Sequence, residues 1–298
     1  MTALDYEIVD VFTDRPFAGN PLAVVFGAEH LHTDQLRALT REFNLSETAF
    51  VLPPTVEGAS YRLRIFTPAA ELPFAGHPSV GAAVTQQRRG LLAAGPARQE
   101  CGAGVLPVLV TADGRATLTG GPPTLGPELD PSPCLATAGL TPDDHAGSPV
   151  RVAGTGLEFS YLPVRPGAPA RAAAQPGSGV GSVYLFAWDP ATRVAHARLF
   201  APELGLAAED PATGSAALGL GVYLVGCGLL PGDGESTYTV RQGIEVHRPS
   251  TLECRVSAVD GAAVRVTVTG SVVPVAQGRI AVPPLDGARE PTSQLSVG

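Results

Sequence analysis

Two carboxylates and one imidazole stand where the chain passes from loop into regular structure: Glu47, His77 and Asp210. Groups of this kind move protons when a cleft desolvates them, because burial raises a carboxyl pKa toward the range useful for general acid–base work. Glu47 lies in Asn44-Leu45-Ser46-Glu47-Thr48-Ala49-Phe50, a polar knot opening an apolar strand, where an acid also reads as a solvated edge residue. His77 follows Gly76; at a helix start its imidazole can donate to a substrate oxygen or accept from a nitrogen, and it reads equally as an ordinary N-cap. Asp210 precedes Pro211, which permits the plain reading of a cap or Asx turn.

Registration lifts Asp210 above that plain reading. The pattern Arg64-Ile65-Phe66-Thr67-Pro68, then Glu71-Leu72-Pro73-Phe74-Ala75-Gly76-His77, returns as Arg198-Leu199-Phe200-Ala201-Pro202, then Glu209-Asp210-Pro211-Ala212-Thr213-Gly214-Ser215. Glu71 to Glu209 and Gly76 to Gly214 are both 138 positions apart. Each copy is a strand-like segment, an acidic-X-Pro-X-X-Gly loop and an apolar helix, so two like halves aim two helix N-termini at one place. Free N–H groups and the positive end of the macrodipole make such termini anion sites. Gly214 and Ser215, in register with Gly76 and His77, offer those amides to a small carboxylate.

The elements that must position these residues follow from pattern. Tyr6–Phe12 and Leu22–Phe26 read as strands around a Phe17–Pro21 turn, and a helix follows from a Thr33 cap with Leu36, Leu39 and Phe43 on one face. Asn44 is a left-handed stop. Glu47–Leu52 and Tyr61–Phe66 read as strands, and His77-Pro78 begins a helix to about Leu92 with proline at its first position. Val105–Val110 and Ala116–Thr119 form a hairpin around Asp113-Gly114, and Gly120–Pro133 reads as a linker. Beyond it, Val150–Ala153, Phe159–Val164, Ser182–Ala187 and Val194–Phe200 are strands, Thr213–Leu230 is the long apolar helix, and Thr237–Arg241, Leu252–Val256, Val264–Thr269 and Val272–Val282 complete the set. Each half is thus many short strands wrapped on one apolar helix, an α+β unit and not a βαβ repetition.

Composition narrows the function classes. A chain of 298 residues exceeds the usual single core, and 44% hydrophobic against 16% charged residues is ample for folded domains. The expected division is 1–122 carrying Glu47 and His77, completed by about 272–298, and 123–271 carrying Asp210. A net charge of −8 with dispersed Lys and Arg disfavours nucleic acid. Ala216–Leu230 is short and glycine-interrupted for a membrane span, and the acidic N-terminus is no signal peptide. The expectation is a soluble, cytoplasmic protein. Cys101, Cys134, Cys227 and Cys254 form no C-x-x-C pair, and the six histidines contain no H-E-x-x-H, so no metal site is expected. No G-x-G-x-x-G or P-loop pattern supports a doubly wound nucleotide fold.

Six stretches in order, Gly19-Asn20-Pro21, Asn44-Leu45-Ser46-Glu47, Arg64 to Pro68, Glu71 to Pro78, Glu209 to Ala216, and Gln242-Gly243 with Arg248-Pro249-Ser250, together resemble the phenazine-biosynthesis isomerase (PhzF-like) family from about Asp10 to Gly278. The resemblance implies the diaminopimelate-epimerase-like fold, two pseudo-symmetric halves each a barrel-like sheet around a central apolar helix, with the active site between them. It also implies a cofactor-free, metal-free isomerase, usually a homodimer. Glu47 matches the family's acid/base, which takes a proton from one ring carbon of a dihydro-hydroxyanthranilate and returns it to another. His77, Asp210 and Ser215 match positions that bind the substrate's polar groups; Gly76 and Gly214 match the helix-end amides, and Ser46 beside Glu47 joins the substrate-binding set.

Two departures bear on substrate. The family's common Met-Gly before Arg-Pro-Ser is Val246-His247 here, and its usual paired glycines near the end read Thr269-Gly270-Ser271. Epimerases and proline racemases of similar architecture place one cysteine at each helix terminus; here those places are Ala75 and Thr213, which favours transfer by the single base Glu47. Two alternatives remain: an amino-acid epimerase using Glu47 and another group, and a non-catalytic protein that keeps the cleft to bind a small ligand.

Overall fold

The computed structural model describes residues 3–175, 181–201 and 209–285. Pro202 of the second repeat and the expected contribution of 286–298 lie outside the described residues. In chain order the elements are β1 (Ala3–Val11), β2 (Asn20–Phe26), α1 (Thr33–Phe43), β3 (Thr48–Leu52), β4 (Tyr61–Phe66), the two-residue β5 (Glu71–Leu72), α2 (Gly76–Arg88), β6 (Gly95–Cys101), β7 (Gly104–Thr111), β8 (Arg115–Thr119), β9 (Thr124–Leu129), α3 (Pro131–Thr137), β10 (Val150–Gly154), β11 (Glu158–Pro163), α4 (Ala168–Arg171), β12 (Val183–Asp189), β13 (Val194–Phe200), α5 (Gly214–Gly226), β14 (Gly234–Gln242), β15 (Ser250–Val259) and β16 (Ala262–Ala281).

Neighbouring strands run β1-β2-β3-β4-β6-β7-β8-β16, and β16 pairs back onto β1, closing an eight-strand barrel. The series continues from β16 through β15, β14, β13, β12, β11 and β10 to β9. One strand serves both sets: β16 pairs with β15 through Thr269, with β8 over Thr267–Ser271, and with β1 from Val272 onward. Val264–Thr269 and Val272–Val282, expected as two strands, are therefore one. Gly270 lets it pass, since a Cβ there would run into the Phe12 ring.

The α+β expectation stands, with one refinement. In each half the central helix is a parallel crossover: β4, α2 and β6 in the first, β13, α5 and β14 in the second. The repeated motif thus marks one such crossover per half.

Both central helices are buried along nearly their whole length, as expected of helices without a polar stripe. Small residues let strands approach them. At Gly219 a Cβ would overlap the Tyr161 hydroxyl, which donates to Ala216 O at 2.7 Å; at Gly221 it would overlap that of Tyr238, which donates to Ala217 O at 2.7 Å.

Several boundaries differ for local reasons. His32, not Thr33, caps α1, and Gln35 turns back to accept from the His32 N–H at 2.9 Å. Asn44 is left-handed as expected, with φ +50°. The first central helix starts at Gly76 with Ala75 as N-cap, so His77 is inside it and Pro78 is its third residue; a missing N–H is still tolerated in this turn. The Gly120–Pro133 linker contains the edge strand β9, paired to β10. Among the described residues no helix is long and apolar enough to cross a membrane.

Candidate active site

Each repeat positions its helix start with the same device. Arg64 on β4 donates from Nε and Nη2 to the two carboxylate oxygens of Glu71, both at 2.7 Å, and its guanidinium lies over Phe66. Arg198 on β13 repeats this with Glu209 at 2.9 and 2.5 Å, over Phe200. The acidic residue that opens each loop is thereby tied to the strand before it, and the glycine five residues on becomes the first residue of the helix. Arg198 also donates to the Pro169 and Ala172 carbonyls.

The two helix starts meet backbone to backbone. A Cβ on Gly76 would lie 3.3 Å from the Gly214 Cα, and 3.5 Å from the Ser215 nitrogen. The two helix starts that the repeat predicts to aim at one place thus lie in close approach at Gly76 and Gly214. Ala75 and Thr213 are the two N-caps, and neither carries a thiol. Asp210 is not the cap its sequence position allows, because Thr213 occupies that place.

Glu47, at the entry to β3, faces His77. Glu47 Oε2 lies 3.6 Å from His77 Nε2, with the side chains 15% and 4% exposed. Both atoms are buried without a hydrogen-bond partner. Asp210 joins them through Asn20, whose Nδ2 donates to Asp210 Oδ1 at 2.6 Å and to Ala212 O at 3.0 Å. Ser46 Oγ donates to Asn20 Oδ1 at 3.3 Å. The other Asp210 oxygen accepts from Thr213 Oγ1 at 2.6 Å, and Gln242 Nε2 donates to Asp210 O and to Thr213 Oγ1. Tyr184 holds Gln242 from behind, donating to Oε1 at 3.0 Å.

Protonation follows from this arrangement. Burial lowers the His77 pKa to about 4, against the raising effects of Asp210 and of the Pro21 backbone, so the ring is neutral at pH 7. Both amide protons of Asn20 are committed elsewhere, although Nδ2 lies 3.3 Å from His77 Nδ1. Proline offers only a carbonyl, so the ring donates to it, while Nε2, which has no hydrogen-bond partner, faces Glu47. Burial raises Glu47, opposed by the Ser46 hydroxyl. Burial and the Glu47 charge raise Asp210 to about 6. Two carboxyls in one dry site with a neutral imidazole between them can store and release one proton near neutrality.

All seven candidate residues, Ser46, Glu47, Gly76, His77, Asp210, Gly214 and Ser215, fall at this junction. Asn20, Thr213 and Gln242 do as well, and no chemistry was read from them. The signal was present, since Gly19-Asn20-Pro21 and Gln242-Gly243 look like turns. Asn20 is a turn residue whose side chain also links the two carboxylate-bearing loops. Among the described residues no group of three His, Cys, Asp or Glu is placed to hold a metal.

The phenazine biosynthesis-like family model matches residues 9–278. The chain belongs to that family. An uncharacterized isomerase of Mesorhizobium japonicum is 34% identical over 302 aligned positions, covering 94% of this chain and 99% of the relative. A trans-2,3-dihydro-3-hydroxyanthranilate isomerase of Pseudomonas aeruginosa is 32% identical, covering 92% and 98%. The crystal structure of a PhzF-family phenazine biosynthesis protein of Bacillus anthracis superposes with TM-score 0.84 at 25% identity, covering 95% of this chain and all of the other. The protein is thus a PhzF-family isomerase, and its fold is the diaminopimelate-epimerase-like one shared with racemases and epimerases.

Family membership makes sense of the two departures. His247 is left-handed, with φ +57°, the conformation for which the family's usual glycine is suited. Where paired glycines are usual, the second survives as Gly270 under the Phe12 ring, while Thr269 has its hydroxyl 2.7 Å from that of Thr117.

Proposed function

We propose that this isomerase moves one proton within a small, amino-bearing cyclic carboxylate, with Glu47 as base and then acid. The observation that carries the reading is the Glu47–His77 pair, two buried, mutually facing atoms with no other partner. As carboxylate, Glu47 removes a proton from a ring carbon; the C–H electron pair passes into the adjacent conjugated system, and protonated Glu47 returns the same proton to another carbon. No atom or electron is gained or lost, which is the balance of an isomerisation. His77 and Asp210 orient the substrate's polar groups and accommodate charge as it moves, and the amides of Gly76, Gly214 and Ser215 with the Ser46 hydroxyl hold its carboxylate. No metal or cofactor is assigned a role. Ala75 and Thr213 at the helix ends provide no thiol pair for two-base racemisation.

The test uses trans-2,3-dihydro-3-hydroxyanthranilate, the compound named for the Pseudomonas aeruginosa relative, followed by NMR in deuterated water beside a panel of amino acids. The reading expects conversion of the cyclic acid and no change in the amino acids. Deuterium at an amino-acid α-carbon with loss of optical rotation would replace it with epimerisation. No turnover of any member, with binding indifferent to Glu47 ionisation, would favour a binding protein.

A further inference from the structure

A second constellation lies on the other side of the sheet from α5. Ala195, Ala197 and Leu199 of β13 belong to the core around that helix, so by strand alternation Val194 and His196 project to the opposite face. Arg241 of β14 is the Cα partner of His196. With Pro166, Trp188 and Asp189, these residues line a cavity of about 450 Å³, within the size range of small-molecule sites. None of the Glu47 cleft residues lines it.

The wall chemistry is selective. Arg241 is exposed and has no carboxylate partner among the described residues. His196 Nε2 is buried and lies 2.9 Å from Glu245 Oε1, yet the side chain is 30% exposed. The Nε2 edge of the ring therefore faces Glu245 without forming a hydrogen bond to it, and the accessible part is the edge turned away from that carboxylate. Asp189 has its oxygens engaged by the Ala191 N–H at 3.0 Å and the Thr192 hydroxyl at 2.6 Å, so it is occupied with its own turn. Pro166, Val194 and the indole of Trp188, whose Nε1 is buried without an acceptor, supply the apolar part of the wall.

We propose that this cavity binds a small organic monocarboxylate with an apolar body, its carboxylate on Arg241 and its body against the His196 ring, Trp188, Val194 and Pro166. A planar guanidinium matches a carboxylate with two parallel hydrogen bonds. One guanidinium, with the Asp189 carboxylate in the same lining, suits a single negative charge better than a multiply charged phosphate.

Trp188 is the sole tryptophan of the chain; it lines this cavity and the neighbouring one beside Arg165 and Phe186, so the Arg241 variants, whose side chain lines only the first, assign any emission change to it. The experiment titrates the full chain with cyclohexanecarboxylate, which does not absorb where tryptophan is excited, and separately with cyclohexanemethanol and inorganic phosphate. The expected result is a saturable emission change with the carboxylate by about 10 mM, weakened at least about tenfold in Arg241→Ala, partly restored in Arg241→Lys, and unaffected in Glu47→Gln. Circular dichroism and unliganded emission equal to wild type show that Arg241→Ala is folded. The proposal is overturned by no saturable change, by equal affinity for the alcohol or phosphate, by an Arg241→Ala titration like wild type, or by loss in Glu47→Gln. Activity at the Glu47 cleft is not read, so this outcome is independent of the proposed reaction.

Discussion

His77 Nε2 lies 3.6 Å from Glu47 Oε2, and neither atom has another partner. The gap is longer than a hydrogen bond, and catalytic contacts often tighten only when substrate is bound. Beside this pair the halves are joined by hydrogen bonds from Arg248 Nε to Gly19 O at 3.0 Å, from Gly19 N to Pro249 O at 3.1 Å and from Thr251 N to Phe12 O at 2.8 Å.

Opposed pKa shifts predict a flat pH profile of stability in mild acid. The Asp210 pKa is raised from 3.8 to about 6, so its contribution is present below about pH 4 and lost as pH rises through 6. That of His77 is lowered from 6.5 to about 4, so its contribution is present above 6.5 and lost as pH falls toward 4. Between pH 4 and 6.5 the two trends oppose. Burial raises Glu47 as well, so urea midpoints should rise with pH across this window in Glu47→Gln/Asp210→Asn, where the His77 shift remains, and fall with pH in His77→Gln; parallel profiles in the two variants would refute the shifts.

Asn20→Ala should damage both fold and reaction. Removing the amide strips Asp210 Oδ1 of a donor and unlinks Ser46 from the cluster. An unsatisfied buried group of this kind costs about 1–3 kcal/mol. Urea unfolding should show that loss, and kcat should fall more than KM rises, because the residue positions catalytic groups without being one. Unaltered stability and turnover would show that Asn20 merely forms a turn.

The two arginine clamps, alike in geometry, should differ in energy. Arg198 and Glu209 are 9% and 8% exposed, whereas Arg64 and Glu71 are 18% and 37%. Arg198→Met should cost about 3–5 kcal/mol by stranding a buried carboxylate, and Arg64→Met less than about 1 kcal/mol. Equal losses in chemical denaturation would mean that burial does not separate the pair.

Gly219→Ala sets helix propensity against packing. Alanine gains about 1 kcal/mol in a helix interior, but its methyl group would displace Tyr161 from its bond to Ala216 O, and overpacking costs about 1–3 kcal/mol. The net should be destabilising, with the loss reduced in Gly219→Ala/Tyr161→Phe. A more stable single variant would contradict the close approach.

Much of this arrangement was legible in sequence because the repeat has a physical basis. The 138-residue offset marks two strand–loop–helix crossovers, and the apolar character of Gly214–Gly226 already required burial on all sides. Glu47, His77 and Asp210 stood out in the sequence as titratable groups at loop-to-element junctions, and the structure brings them to one place. The position of Asn20 as a bridge was not readable, since a Gly-Asn-Pro turn explains those residues completely at short range, and its partners at 46, 210 and 212 are set only by tertiary contact. The single strand Ala262–Ala281 was hidden for a related reason: Gly270 suggests a break until Phe12 is seen to fill the space above it.

The most direct measurement of the central claim is turnover by Glu47→Gln of whichever small acid the wild type isomerises. Glutamine preserves the shape of the side chain while removing its capacity to carry the proton. The rate should fall by about 10³-fold or more, with ligand affinity and thermal unfolding close to wild type. Turnover by Glu47→Gln at the wild-type rate would assign the proton transfer to another group.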